Sequence, residues 1–86
     1  MADLTKLPNI GRTLAAELKR VGVTSREALI ALGSVEATRR IAKTRSGACH
    51  NLLFALEGAI RGVRWHSLPK SDRARLKDRF DEAQNR

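Results

Sequence analysis

Apolar positions along this chain recur with the period of a helix, and no segment alternates in the manner of a strand. Ile10, Leu14, Ala15, Leu18 and Val21 predict a first long helix over about 11–21, ended by Gly22, a residue free to take positive φ. Thr24 followed by Glu27 three residues on reads as a capping box, so a second helix is expected over about 25–32. It turns Ala28, Leu29 and Leu32 inward and stops at Gly33. Ser34 is a candidate N-cap for a third helix with Val35, Thr38, Ile41 and Ala42 on one side. Arg39, Arg40 and Lys43 lie largely on the other, and the helix should end near Thr44, ahead of Ser46 and Gly47.

The most regular stripe is Cys49, Leu52, Leu53, Leu56, Ile60 and Val63, which predicts a central helix within residues 48–63. Beside it runs a line of small residues, Ala55, Gly58, Ala59 and Gly62, that lets another helix approach closely, Ala15–Ala16 being the expected partner. After RWHSLP breaks the pattern, Pro69 suits a first helical turn, and Leu76, Phe80 and Ala83 give a last helix over about 69–83. Trp65 is expected to anchor the junction of these two helices. A short helical turn over Asp3 to Lys6 completes the reading. The fold class is all-α: one domain over residues 1–86, a compact bundle of about five helices with short connectors.

Composition narrows the partners. The chain has 86 residues, 42% hydrophobic but only 3% aromatic, so its core is built from Leu, Ile, Val and Ala with Trp65, Phe54 and Phe80 as large fillers. Its formal charge of +8 points to an anionic partner, nucleic acid first. That charge is spread as +2, +2 and +4 over residues 1–33, 34–60 and 61–86, without the like-charge block of a disordered arm. One cysteine excludes an internal disulfide, and there is neither a leader pattern nor an apolar run of about 18 residues, so a cytoplasmic location is expected, away from membranes.

LPNIG, Leu7 to Gly11, is the stretch with most chemical content. Pro8 fixes its own φ, Asn9 tolerates the left-handed region and Gly11 tolerates almost anything, so the turn can aim N–H groups outward at the start of the first helix. Two readings stay open: a phosphate-binding turn assisted by Lys6, Arg12 and Lys19, or a purely structural start to the helix. Arg39, Arg40, Lys43 and Arg45 are likewise either a solvated face or a phosphate-contacting patch.

Catalytic and metal chemistry find little support. Adjacent Cys49 and His50 point about 100° apart on a helix and make no chelating pair, and His66 has no partner at ligand spacing. Glu57 is spaced for an ion pair with Arg61, with Arg64 a turn further on. No paired acid, Ser/His/Asp set or phosphate-binding glycine loop is present. No metal, no cofactor and no enzyme activity are expected.

Leu7-Pro8-Asn9-Ile10-Gly11, with Leu14, Ala15, Leu18 and the following GVTSREAL, resembles the helix-hairpin-helix module, which binds phosphate backbone without reading sequence. Asn9 stands where that family usually has its first Gly, and Thr13 where Lys is common. Over nearly the whole chain, LPNIG, Gly33-Ser34 and the stretch from Gly47 to Pro69, including Cys49, Asn51, Leu52, Ala55 to Ala59 and Arg64-Trp65-His66, resemble the C-terminal domain of TfoX/Sxy competence regulators. The resemblance implies a small helical domain linked to regulation of DNA-uptake genes in bacteria. Two-domain members carry a further N-terminal domain, and this chain is expected to be a stand-alone version.

The resulting expectation is a non-enzymatic, DNA-associated regulatory domain with a helix-hairpin-helix-like N-terminal part. Lys6, Asn9, Gly11, Arg12 and Thr13 would meet phosphate, helped by Arg39, Arg40 and Lys43. The alternative is a protein-interaction or scaffold domain whose positive field steers an acidic protein partner.

Overall fold

The amphipathic stripes fold into α1 Arg12–Arg20, α2 Arg26–Leu32, α3 Ser34–Thr44, α4 His50–Arg61 and α5 Lys70–Gln84. Two 3-10 turns, Leu4–Lys6 and Trp65–Ser67, precede α1 and join α4 to α5. The structure, a computed structural model, describes residues 4–44 and 50–85, and no strand occurs among them. The all-α expectation holds, and Cys49, Arg45 and the break at Ser46-Gly47 lie outside the described residues.

Glycines end α1 and α4 in the same way. At α1, the Gly22 N–H donates to Lys19 O (3.0 Å) and the Val23 N–H to Leu18 O (2.8 Å), with Gly22 at φ +88°. At α4 the same pair of bonds runs from Gly62 to Ala59 (3.2 Å) and from Val63 to Gly58 (2.9 Å). Each is a Schellman closure that satisfies terminal carbonyls and reverses the chain.

The start of α2 differs from the sequence reading by one residue. Ser25, in extended backbone at φ −149° and ψ 164°, is the N-cap, and its hydroxyl accepts the Ala28 N–H at 3.1 Å. Thr24 stays outside the helix. Glu27 consequently lies in the first turn, where it complements the positive end of the helix dipole.

Helix α4 is central because its apolar stripe feeds two clusters. Leu56 and Ala59 join Leu18, Val23, Leu29, Ala37 and Ile41, which gathers α1, α2 and α3 around α4. Leu53 instead meets Leu76 and Phe80 and so fastens α5 to the bundle. Full burial of a leucine contributes about 1.5–3 kcal/mol. Thr38, completely buried, satisfies its hydroxyl by donating to Ser34 O at 2.8 Å within α3.

Candidate nucleic-acid interface

The LPNIG turn closes on itself through N–H bonds from Leu7 to Leu4 O (3.0 Å) and from Ile10 to Leu7 O (3.4 Å). Asn9 takes φ +70°, the left-handed conformation its side chain makes tolerable. That side chain faces inward, toward the end of α4. Its Nδ2 donates to Val63 O (3.0 Å) and Ala55 O (3.3 Å), and its Oδ1 accepts the Trp65 N–H at 3.2 Å. Gly58 makes room for this clasp, since a Cβ there would stand 2.6 Å from Asn9 Nδ2 and 2.7 Å from Val63 O. Ala55 and Gly58 of the small-residue stripe therefore receive the turn before α1, while Ala59 shares a buried cluster with Ala15, and Ala16, the other half of the expected partner, is exposed.

With the turn anchored, the start of α1 is left open. Gly11, the N-cap, is extended (φ −94°, ψ −174°), exposed, and brings no side chain to the first-turn donors. Arg12 and Thr13 follow, both exposed, and Lys6 is exposed on the preceding 3-10 turn. Uncapped N–H groups and the positive end of the helix dipole thus meet two cations at one place.

The α3 cations sit elsewhere. Arg39 Nη1 lies 2.9 Å and Arg40 Nε 3.5 Å from the carboxylate of Glu36, which both guanidiniums share. Arg40 Nη1 also donates to Val21 O at 3.4 Å, at the C-terminal end of α1. At 1.5 Å per residue, α1 separates that end from the turn by roughly 14 Å. Lys43 is exposed and joins no ion pair among the described residues. Lys6, Asn9, Gly11, Arg12 and Thr13 therefore gather at one end of α1, with Arg40 at the other.

Two features escaped the sequence reading. The first is a row of rings. Phe54 lies between His50 (centroids 6.5 Å, 27° between planes) and Trp65 (6.4 Å, 21°), and Trp65 packs on His66 at 3.9 Å. Residues distant in sequence meet here because the Schellman turn at Gly62 folds the Trp65 segment back beside α4. Beyond Phe54, an open groove of about 290 Å³ is lined by Phe54, Lys70, Arg73, Ala74 and Lys77. The only advance signal was the spacing of those three cations on α5.

The second is a polar chain across the bundle. The Ser34 hydroxyl donates to Glu57 Oε1, Arg61 Nε to Glu57 Oε2, and Arg61 Nη1 to Asp72 Oδ2, each at 2.7 Å. The expected Glu57–Arg61 pair is thus one link of a longer series that includes Asp72, while Arg64 is exposed before the second 3-10 turn. The hydrogen bond donated by Arg61 holds the Asp72 carboxyl below its ordinary pKa, and donating to Asp72 and then to Glu57 raises the pKa of Arg61. Among the described residues, no three His, Cys, Asp or Glu side chains gather as metal ligands, and no helix is long and apolar enough to cross a membrane.

Residues 1–80 match the model of the TfoX C-terminal domain. The chain belongs to that family. As a TfoX C-terminal domain it is related to the competence regulators, and it is 36% identical over 78 residues to Protein Sxy of Escherichia coli strain K12. That alignment takes in 91% of this chain and 37% of Protein Sxy, so the chain spans little more than a third of that relative's length. Two crystal structures of Listeria monocytogenes proteins, one described as uncharacterized and the other as of unknown function, share the fold at 38% identity. The first, a triclinic form, superposes with a TM-score of 0.89 over 96% of this chain and 94% of its own. The second, a tetragonal form, gives 0.86 over 94% and 99%. In this TfoX C-terminal domain, Asn9, where a helix-hairpin-helix usually has Gly, is the residue that clasps the turn to α4.

Proposed function

We propose that this TfoX C-terminal domain is a non-enzymatic, cytoplasmic, DNA-associated module of competence regulation that grips the phosphate backbone of duplex DNA without reading sequence. The reading rests on the exposed start of α1, where no side chain caps the first-turn donors. A phosphate there would accept N–H bonds from the Gly11–Thr13 segment, with Lys6 and Arg12 adding charge. Asn9 contributes by position: its side chain is occupied at α4, and it holds the turn in the shape that keeps those donors outward. The α3 cations add to the positive field from the far end of α1, Arg39 and Arg40 in partial balance with Glu36.

The test is duplex binding by the purified chain across a salt series. Sequence-tolerant binding that weakens steeply with salt is expected, and replacing both Lys6 and Arg12 by Gln should flatten the dependence by about 2 in log–log slope. No binding at low salt, or an unchanged slope in the double variant, overturns the proposal. That result would favour the acidic protein partner instead.

A further inference from the structure

We infer that Arg64, on the turn that follows α4, is a further phosphate contact of the duplex site at the start of α1, an inference that rests on the duplex reading of that site. Arg64 joins Lys6 and Arg12 in one group of cations, and Asn9 is the residue that brings it there.

Asn9 fixes where Arg64 lies. Its Nδ2 donates to Val63 O at 3.0 Å and its Oδ1 accepts the Trp65 N–H at 3.2 Å, so the residue between them is held against the turn that opens α1. The backbone on either side is closed as well. The Val63 N–H donates to Gly58 O and the Ser67 N–H to Arg64 O, both at 2.9 Å, with Arg64 itself extended at φ −66° and ψ 143°. Three residues of chain, at most about 11 Å, separate Asn9 from Arg12. Arg12 and Arg64 therefore belong to one end of the molecule, on a frame set before any ligand arrives.

The Arg64 side chain is available. It is exposed and forms neither an ion pair nor a hydrogen bond among the described residues. Arg61, three residues earlier, engages Glu57 and Asp72 at 2.7 Å each, so those carboxylates are already held. The end of α4 would otherwise repel a phosphate, because a helix carries the negative end of its dipole there. Its carbonyls are covered: Gly58 O and Ala59 O by the Schellman bonds, Val63 O by Asn9, and Ile60 O by Arg26 Nη2 at 3.3 Å. Arg26 forms no ion pair among the described residues and adds its own charge to this end.

Duplex DNA suits cations held on such a frame. It carries one charge per about 1.7 Å of axis, so a guanidinium fixed beside the α1 contact meets a phosphate without any particular register or sequence. An acidic protein would need a carboxylate at one matched position. 

The test is the salt dependence of duplex binding by the purified chain. Arg64→Gln should lower the log–log slope by about 1, in addition to the loss in Lys6→Gln/Arg12→Gln, while Arg64→Lys should keep the slope of the parent because a phosphate accepts either cation. The backbone bond from the Ser67 N–H is open to all three residues at position 64. Arg79→Gln removes the same charge from an exposed position on α5 that has no ion pair among the described residues, and it should leave the slope unchanged.

The inference is overturned if Arg64→Gln binds with the slope of the parent, or if Arg79→Gln lowers the slope as much, which would reduce the effect to overall charge. It is equally overturned if Arg64→Lys loses as much as Arg64→Gln. In each of these cases a slope that still falls in Lys6→Gln/Arg12→Gln leaves the α1 reading standing. An unchanged slope in Lys6→Gln/Arg12→Gln overturns that reading and, with it, the place of Arg64 as its neighbour.

Discussion

Asn9 and Gly58 form a single fitting: a Cβ at position 58 would come within 2.6 Å of Asn9 Nδ2, and Asn9 uses that space to reach the carbonyls of Ala55 and Val63 and the N–H of Trp65. The segment before α1 and the end of α4 are thereby locked together across more than forty residues of sequence.

Gly58→Ala tests that fit against helix propensity. Alanine in a helix interior is favoured over glycine by about 1 kcal/mol, but here its methyl would also meet the backbone oxygen of Val63 at 2.7 Å, which cannot swing aside as a side chain can. Overpacking of this kind costs about 1–3 kcal/mol, and the net effect is destabilising. A thermal melt should shift down by roughly 4–8 °C for each kcal/mol lost in a domain of this size. A variant as stable as the parent would show that the turn does not need this contact.

Substitutions at Asn9 separate backbone from side chain. Asn9→Gly keeps the left-handed φ of +70° and loses the hydrogen bonds, whereas Asn9→Ala loses both. The alanine variant should therefore be less stable than the glycine variant by about 1–2 kcal/mol. Equal stabilities in urea titrations would mean the turn relaxes when its clasp is gone.

The five α-helices among the described residues were legible in the sequence because each carries an apolar stripe at helical spacing and a glycine, serine or proline at an end. Leu18, Leu29, Ile41, Leu53, Leu56, Leu76 and Phe80 hold positions on those stripes and are buried. Tertiary relations were harder. Nothing local announces that Asn9 will bond to residues 55, 63 and 65, or that Gly58 serves the turn and not Ala16. The ring row was hidden for the same reason, since Phe54 and Trp65 meet only after the chain reverses at Gly62. At the start of α2, Thr24 and Ser25 are both competent caps, and the choice depends on which residue the turn from α1 leaves in extended backbone.

That choice is measurable. Ser25→Ala removes the oxygen that accepts the Ala28 N–H and should cost about 1 kcal/mol, while Thr24→Ala at an exposed position outside the helix should fall within about 0.5 kcal/mol of the parent. The opposite order in chemical denaturation would return the cap to Thr24.

Stability should also depend on pH through Asp72. Because Arg61 lowers its pKa in the folded state, the unfolded chain holds the proton more tightly. The resulting stabilisation is present above the ordinary carboxylate pKa and is lost as pH falls through the lower, folded-state value. Asp72→Asn should accordingly melt below the parent at neutral pH, and the two melting temperatures should converge as acid protonates Asp72 in both states of the parent. A difference that stays constant through the acid range would assign the effect to something other than this ion pair.

Glu36 supplies the sharpest discrimination between the two groups of cations proposed to face duplex DNA. It holds Arg39 at 2.9 Å and Arg40 at 3.5 Å, so either guanidinium must give up a carboxylate before it meets a phosphate, whereas Arg12 forms no ion pair among the described residues. Arg12→Gln should lower the log–log salt slope of binding by about 1, and Arg40→Gln should lower it by less. Glu36→Gln acts in the opposite direction: it removes one negative charge and releases two arginines, so duplex affinity at low salt should rise and the slope should steepen by up to about 2. If Glu36→Gln leaves both unchanged while Arg12→Gln weakens binding, DNA touches only the turn at the start of α1, and the α3 cations serve solubility alone.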